Sequence, residues 1–413
     1  MKLKHGLISA DSHVVLDKDA FKERMSASKW GEKIPQIIEA TNSKGETGER
    51  WSVYASKGGR GFGEGFGVAN CPAVMGDPFP TYPTRWEQVP RTAWDPLMRL
   101  HALDEDGVDA EVLFPNNPGG SFYQHKDPDF EMDAVRAYND ALSDWASASD
   151  RYLPLAGVPY LSGPEAMARE IERAVEGGHR GMNLNGRMPG GLPHLADPVW
   201  DPVWDVLQSL GVPVHFHGSS GLNISGTVME WEGFSVRQNH SASTTPSAVT
   251  PGQIIPHLIF SGITERFPNL KVVFAEAGIG GLNYVLAACD HEWETRHLWT
   301  EGITSRPSDT VRRQMYANFW FEDGGIQLRE NIGINNIMWE SDFPHVASFH
   351  PNSWLAVERV LEGVSVEDRK KLLYENAIKV YKLDVTNLAE WDTPKWQKHE
   401  PLPGGALGSM VHA

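Results

Sequence analysis

The chain has 413 residues, 40% of them hydrophobic, which is ample for one large domain or two ordinary ones. Its 54 acidic residues outnumber 37 basic ones for a net charge of −17, and no long run of Lys or Arg occurs, so binding along a nucleic-acid backbone is excluded. No apolar stretch reaches the roughly 18 residues of a membrane span; the polar N-terminus and the widely separated Cys71 and Cys289 predict free thiols in a reducing cytoplasm.

Strand-like and helical patterns alternate along the chain. Leu7–Val14 reads as the first strand, followed by a long polar stretch, Thr41–Trp94, with a glycine-rich tract. A helix over Asp95–Asp106 leads to the second strand, Asp109–Pro115. The helix Asp127–Asp150 carries Ala134, Ala141, Leu142 and Trp145 on one stripe. Leu153–Tyr160, the helix Gly163–Gly177, Arg180–Asn185 and the helix Asp197–Leu210 follow, the last opening on an Asp-Pro start signal. Val212–Gly218 is the fifth strand, with a second insertion, Ser219–Thr250, after it. Then come the helix Pro251–Phe267, strand Leu270–Gly278, helix Gly280–Trp299, and strands Gln314–Phe321 and Asn336–Phe343. Helices Pro351–Glu362 and Val366–Leu383 end the pattern, before a Pro- and Gly-containing tail, Leu388–Ala413. Eight βα units predict an α/β fold of the (β/α)8 TIM-barrel type over 1–387, as one domain with lid-like insertions at 41–94 and 219–250 after strands one and five. An open doubly wound sheet is the structural alternative.

Chemistry-bearing residues gather at the C-terminal ends of these strands, where a barrel places its active site. Asp11 and His13 share one face of the first strand by alternation, and offer a carboxylate oxygen and an imidazole nitrogen. His215 and His217 repeat that spacing on the fifth strand; His217 lies nearer the mouth and is the preferred ligand, while His215 is a core residue or a substrate contact. His240, in the second insertion, is a further candidate for substrate contact. Glu276 ends the sixth strand as a metal ligand, a general base or one half of a salt bridge. Asp342 ends the eighth strand as a ligand or proton acceptor, Glu340 sits one step deeper, and His345 follows as a catalytic or merely solvated loop histidine. Mixed imidazole and carboxylate ligands without thiolate suit Zn, Fe or Mn.

The chain resembles the amidohydrolase superfamily, in the branch that includes aminocarboxymuconate semialdehyde decarboxylase. The resemblance is carried by SADSHVV, by Asp104–Pro115, by the long block Phe260–Leu286, by Asn336–His345 and by Glu375–Leu383. It implies a distorted (β/α)8 barrel in which Asp11, His13, His217 and Asp342 bind metal. Two departures stand out: Asp11 replaces the first His or Glu of the family's first-strand pair, and Glu276 stands where the decarboxylases carry a catalytic His. Loss of that His favours hydrolysis, with metal-activated water cleaving an amide, ester or thioester of an apolar or aromatic acid. Decarboxylation or hydration of an unsaturated or aromatic carboxylic acid is the alternative. One ion is expected, and two remain an option through Glu276 or a solvent bridge; a homodimer or larger homo-oligomer is expected from the resemblance. The aromatic residues of the insertions, among them Trp51, Tyr54, Phe62, Phe66 and Trp231, point to an apolar substrate or to plain packing.

Overall fold

The computed structural model describes residues 1–387 except 43–44, 54–65, 77–78, 117, 119–121, 219–232 and 234, together with the side chains of 236, 240, 243, 247 and 248. Eight parallel strands form the centre: β1 (Ile8–His13), β2 (Ala110–Phe114), β3 (Tyr152–Pro154), β4 (Met182–Asn183), β5 (Val214–His217), β6 (Val272–Ala275), β7 (Met315–Phe319) and β8 (Ile337–Trp339). Two ladders, β1-β2-β3 and β4-β5-β6-β7-β8, account for most of the pairing. Single parallel bridges, Ser12–Phe343 and Ala156–Met182, join the ladders, so the strands follow one another in chain order around a ring. This is the distorted barrel that the sequence predicts. Its distortion lies in two seams where a bridge replaces a ladder.

All eight strands fall inside their predicted ranges except β3, which begins one residue earlier at Tyr152. Residues 8–13 and 110–114 are buried throughout, because helices cover the outside and neighbouring strands fill the inside. The helices start where the sequence signals them. Asp95 caps Pro96–Asp106 by accepting from Leu97 N (2.9 Å) and Met98 N (3.2 Å), and Asp127 caps Pro128–Ala146. The first of these helices ends at Gly107, whose φ of +71° suits only a residue without a side chain there, since a Cβ would meet the Trp354 indole at 2.6 Å.

Several predicted helices are broken; Pro251–Phe267, for one, divides into Thr250–Phe260 and Ile263–Arg266. Asp197–Leu210 opens as a 3₁₀ turn, Pro198–Trp200, before the α-helix Asp201–Leu210. Val366–Leu383 contains a π-helical turn, Lys371–Glu375, which places Leu372, Leu373 and Tyr374 in the core beneath β8. The described residues of the first insertion include regular structure. They hold an antiparallel hairpin, Ile37–Thr41 against Thr47–Trp51, and Trp51 is fully buried, its Nε1 donating to Val68 O (3.1 Å). Trp51 and Phe66 are therefore packing residues, not lining for a substrate; Tyr54, Phe62 and Trp231 lie outside the described residues. In the second insertion the chain resumes as a helix, Val236–Thr244. No helix among the described residues is long and apolar enough to cross a membrane, and both cysteines are free and buried.

Candidate metal centre

A bulge shapes the first half of the site. Between Ser9 and Ser12, β1 has one residue more than β2 opposite, so Asp11 sits in a local kink of an otherwise regular strand. Three hydroxyls fill the kink: Ser341 Oγ lies 2.9 Å from Ser9 Oγ and 3.0 Å from Ser12 Oγ, and Ser9 Oγ donates to Asp11 O at 2.6 Å. Across the seam, Asp342 N donates to Asp11 O (3.0 Å) and His13 N to Phe343 O (2.7 Å).

Among the described residues, two groups of donors converge: Asp11, His13 and His217; and His13, Asp342 and His345, with one ligand atom per residue lying within 4.8 Å of the others in each. His13 Nε2 is 3.4 Å from Asp11 Oδ1, 3.2 Å from Asp342 Oδ1 and 3.4 Å from His217 Nε2; His217 Nε2 is 3.5 Å from Asp11 Oδ2. Atoms that share one ion through bonds of about 2.1 Å lie about 3.0 to 3.4 Å apart, so these separations fit a single transition-metal ion. Among the described residues, no hydrogen-bond donor reaches either buried oxygen of Asp11, and His13 Nδ1 is buried without a partner as well. A buried carboxylate left in that state is costly, and a cation resolves it.

The electrostatics agree. Burial, reinforced by Glu340, Asp342 and Glu276, pushes the Asp11 carboxyl well above the usual carboxylate range. Burial pushes His217 down to about 4 and His13 well below its ordinary value, so both imidazoles are neutral and offer lone pairs. Burial also opposes the charge of Asp342, but His345 and His13 outweigh it and hold that carboxyl low. His345 Nδ1 is 2.9 Å from Asp342 Oδ1, its Nε2 is 3.4 Å from Asn116 Nδ2, and its ring stacks on His13 at 3.8 Å. Asp342 (φ +52°) and Glu276 (φ +49°) are two of five non-glycine residues with left-handed backbone among the described residues, a conformation that persists where surrounding contacts over-determine it.

The remaining candidates fall elsewhere. The observed contact of Glu276 is with His217 Nδ1 (3.2 Å), the ring nitrogen turned away from Asp11 and His13, and Glu276 belongs to neither converging group. Its place behind the imidazole is that of the carboxylates found behind metal-bound histidines. Of the two readings of His215, the structure shows a core position: the residue is fully buried, its Nδ1 is 3.0 Å from Met182 O and its Nε2 is 3.0 Å from Tyr381 OH. Gly181 makes room for that ring, since a Cβ there would lie 2.8 Å from His215 Cε1. The side chain of His240 lies outside the described residues.

Sequence reasoning missed Arg99, Glu111 and Asn116. The available signal was charge inside apolar patterns: Glu111 within Ala110–Phe114, and Arg99 on the core-facing side of its helix. Over the C-terminal ends of β2 to β4 lies a small cavity of about 20 Å³, bordered by Phe122, Tyr123, Tyr160 and Asn183, with room for about one water.

The amidohydrolase family model matches residues 53–383. The chain belongs to the amidohydrolase family. Among curated relatives, this family member is 23% identical over 314 residues to 2-amino-3-carboxymuconate-6-semialdehyde decarboxylase of Dictyostelium discoideum, covering 72% of this chain and 80% of the relative. Among solved structures it is similar to an amidohydrolase from Mycobacterium avium subsp. paratuberculosis, with a TM-score of 0.70, 19% identity, and coverage of 92% of this chain and all of that one. It is also similar to 5-carboxyvanillate decarboxylase from Novosphingobium aromaticivorans in complex with manganese and 4-hydroxy-3-methoxy-5-nitrobenzoic acid, with a TM-score of 0.56, 20% identity, and coverage of 71% of this chain and 82% of that one. The expectation of hydrolysis is overturned by two of these relatives, the Dictyostelium and Novosphingobium proteins, which are decarboxylases and match the alternative reading.

Proposed function

We propose that the protein is a metal-dependent, non-oxidative decarboxylase of an aromatic or unsaturated carboxylic acid. Asp11, His13, His217 and Asp342 hold one divalent ion, with manganese the first choice and zinc and iron suited to the same donors. The observation that carries the reading is the convergence on Asp11, whose buried oxygens meet no hydrogen-bond donor among the described residues while two neutral imidazoles face them. The contact of Glu276 with His217 supports one ion over two.

When bound, the cation supplies positive charge that neutralises substrate oxygens and stabilises the electron pair left behind by CO2. The residues do the rest. The bond to the carboxyl carbon breaks, its electron pair stays on the ring or alkene carbon, and a proton takes the vacated position. The contact between His345 Nδ1 and Asp342 Oδ1 holds that proton, with Asn116 fixing the other face of the imidazole. Phe114, whose ring centroid lies 5.3 Å from that of His217, forms an apolar floor that excludes water from the carbanion. On the family resemblance and the free thiols, the same proposal includes a homodimer or larger homo-oligomer in the cytoplasm, which light scattering checks.

The test is CO2 release by manganese-loaded protein from a panel of hydroxybenzoic, methoxybenzoic and muconate-type acids, run in D2O. Release with one deuterium at the vacated carbon supports the proposal. Products that carry oxygen from H2¹⁸O, without CO2, overturn it.

A further inference from the structure

The seam between β1 and β8 lies between the residues assigned to the metal. Asp11 and His13 stand on one side and Asp342 on the other, yet a single bridge, Ser12–Phe343, joins the two strands. The separation of His13 from Asp342 therefore depends on whatever else spans the seam.

Arg99 spans it from outside the ring. It is fully buried, and its Nη2 donates both to His13 O (3.0 Å) and to Phe343 O (3.2 Å). Its Nε and Nη2 meet Glu111 Oε1 and Oε2 on β2, each at 2.8 Å, and its guanidinium lies 4.0 Å over the Phe343 ring. One planar cation thus ties three strands together at the two carbonyls that flank His13 and Asp342. A buried ion pair adds little net stability, because desolvation offsets the attraction. What a two-pronged guanidinium adds is direction, which a lysine ammonium does not reproduce.

We propose that Arg99 is a positioning residue of the metal centre, setting the distance between the His13 and Asp342 donors through their backbones. The proposal rests on the reading that this cluster binds a divalent ion. Its action is on the shape of the donor set before any substrate arrives.

The experiment compares the wild type, Arg99→Lys and the double variant Arg99→Met/Glu111→Leu, which removes both charges together. Manganese affinity is measured by chelator competition and calorimetry, and thermal unfolding is measured on metal-free protein. The expected result is a loss of about 10- to 100-fold in affinity for the double variant, with metal-free unfolding still cooperative and close to wild type. Arg99→Lys keeps the charge and decides the matter should the double variant fail to fold; it is expected to lose affinity as well. Wild-type affinity in a folded variant overturns the positioning role. A wild-type protein that binds neither manganese nor zinc overturns the metal reading, and this proposal with it.

Discussion

The ring of strands has two weak joints, at β1/β8 and at β3/β4, each closed by one bridge in place of a ladder. Their backbone geometry is alike and their side-chain chemistry is opposite. Around β1/β8 stand Asp11, His13, Glu340 and Asp342, with Arg99 and three serine hydroxyls holding the strands together. Around β3/β4 the polar groups mostly satisfy one another: Asn139 donates to Gly157 O (3.1 Å) and Glu170 Oε1 (3.0 Å), and accepts from Gly157 N (2.9 Å). The exceptions there are His179 Nε2 and Asn183 Oδ1, each buried without a partner among the described residues, the second beside the small cavity. A seam in a barrel is therefore not a site by itself. The site is the seam where buried charge is left unresolved by the protein and needs something from outside.

Breaking the first joint produces the largest effect. Asp11→Asn is expected to lose its metal by elemental analysis and to cut CO2 release on the order of 10³-fold, equivalent to about 4 kcal/mol. Because it also removes a buried, unpaired carboxylate, its metal-free form is expected to be more stable than wild type by about 1 to 3 kcal/mol in urea unfolding. A metal-free variant less stable than wild type would show that Asp11 is paired within the fold itself.

Acid probes the second joint. His179, just before β4, is buried, its Nδ1 lies 3.0 Å from Ala174 O, and burial pushes it down to about 4. Unfolded, it binds a proton below about pH 6.5 that the native state refuses. Its contribution is therefore complete above that pH and is lost as pH falls toward 4, on the order of 3 kcal/mol. Urea midpoints measured between pH 7 and 4.5 are expected to fall less steeply for His179→Asn than for wild type; equal slopes would remove His179 from the account.

Asn139→Ala sharpens the contrast. It strips the partners from Gly157 and Glu170 and is expected to cost about 2 kcal/mol of stability, while manganese affinity stays at the wild-type value. Loss of affinity would mean that the two joints are coupled. The smallest effect is assigned to Asn183→Ala, about 0.5 kcal/mol or less by thermal unfolding, since its Oδ1 makes no bond that the change could break. A larger loss would point to a water held in the cavity.

Much of this molecule is legible in its amino-acid order. Runs such as Val112–Phe114 and Val272–Ala275 are buried on both faces, and such runs announce parallel strands without reference to partners. The candidate ligands Asp11, His13, His217 and Asp342 can be named because strand ends in a barrel meet at one mouth, so a polar residue ending an apolar run is conspicuous. Glu276 is conspicuous for the same reason, but its role is not. Whether a carboxylate reaches the ion or the far nitrogen of a ligating histidine depends on a difference of a few ångströms and on a left-handed backbone that no pattern encodes.

The sequence by itself determined the number and order of the strands, the start of most helices and the chemical types gathered at the mouth. These follow from local hydrophobic period and from capping, which act over a few residues. Only the tertiary structure decided that β1 bulges at Asp11, that His215 is sealed beneath Tyr381, and that Arg99 spans the closing seam. Each of these joins residues distant in the chain or shifts a register by one residue, and such relations are set by how the ring closes and how its core packs, not by the preference of any one segment.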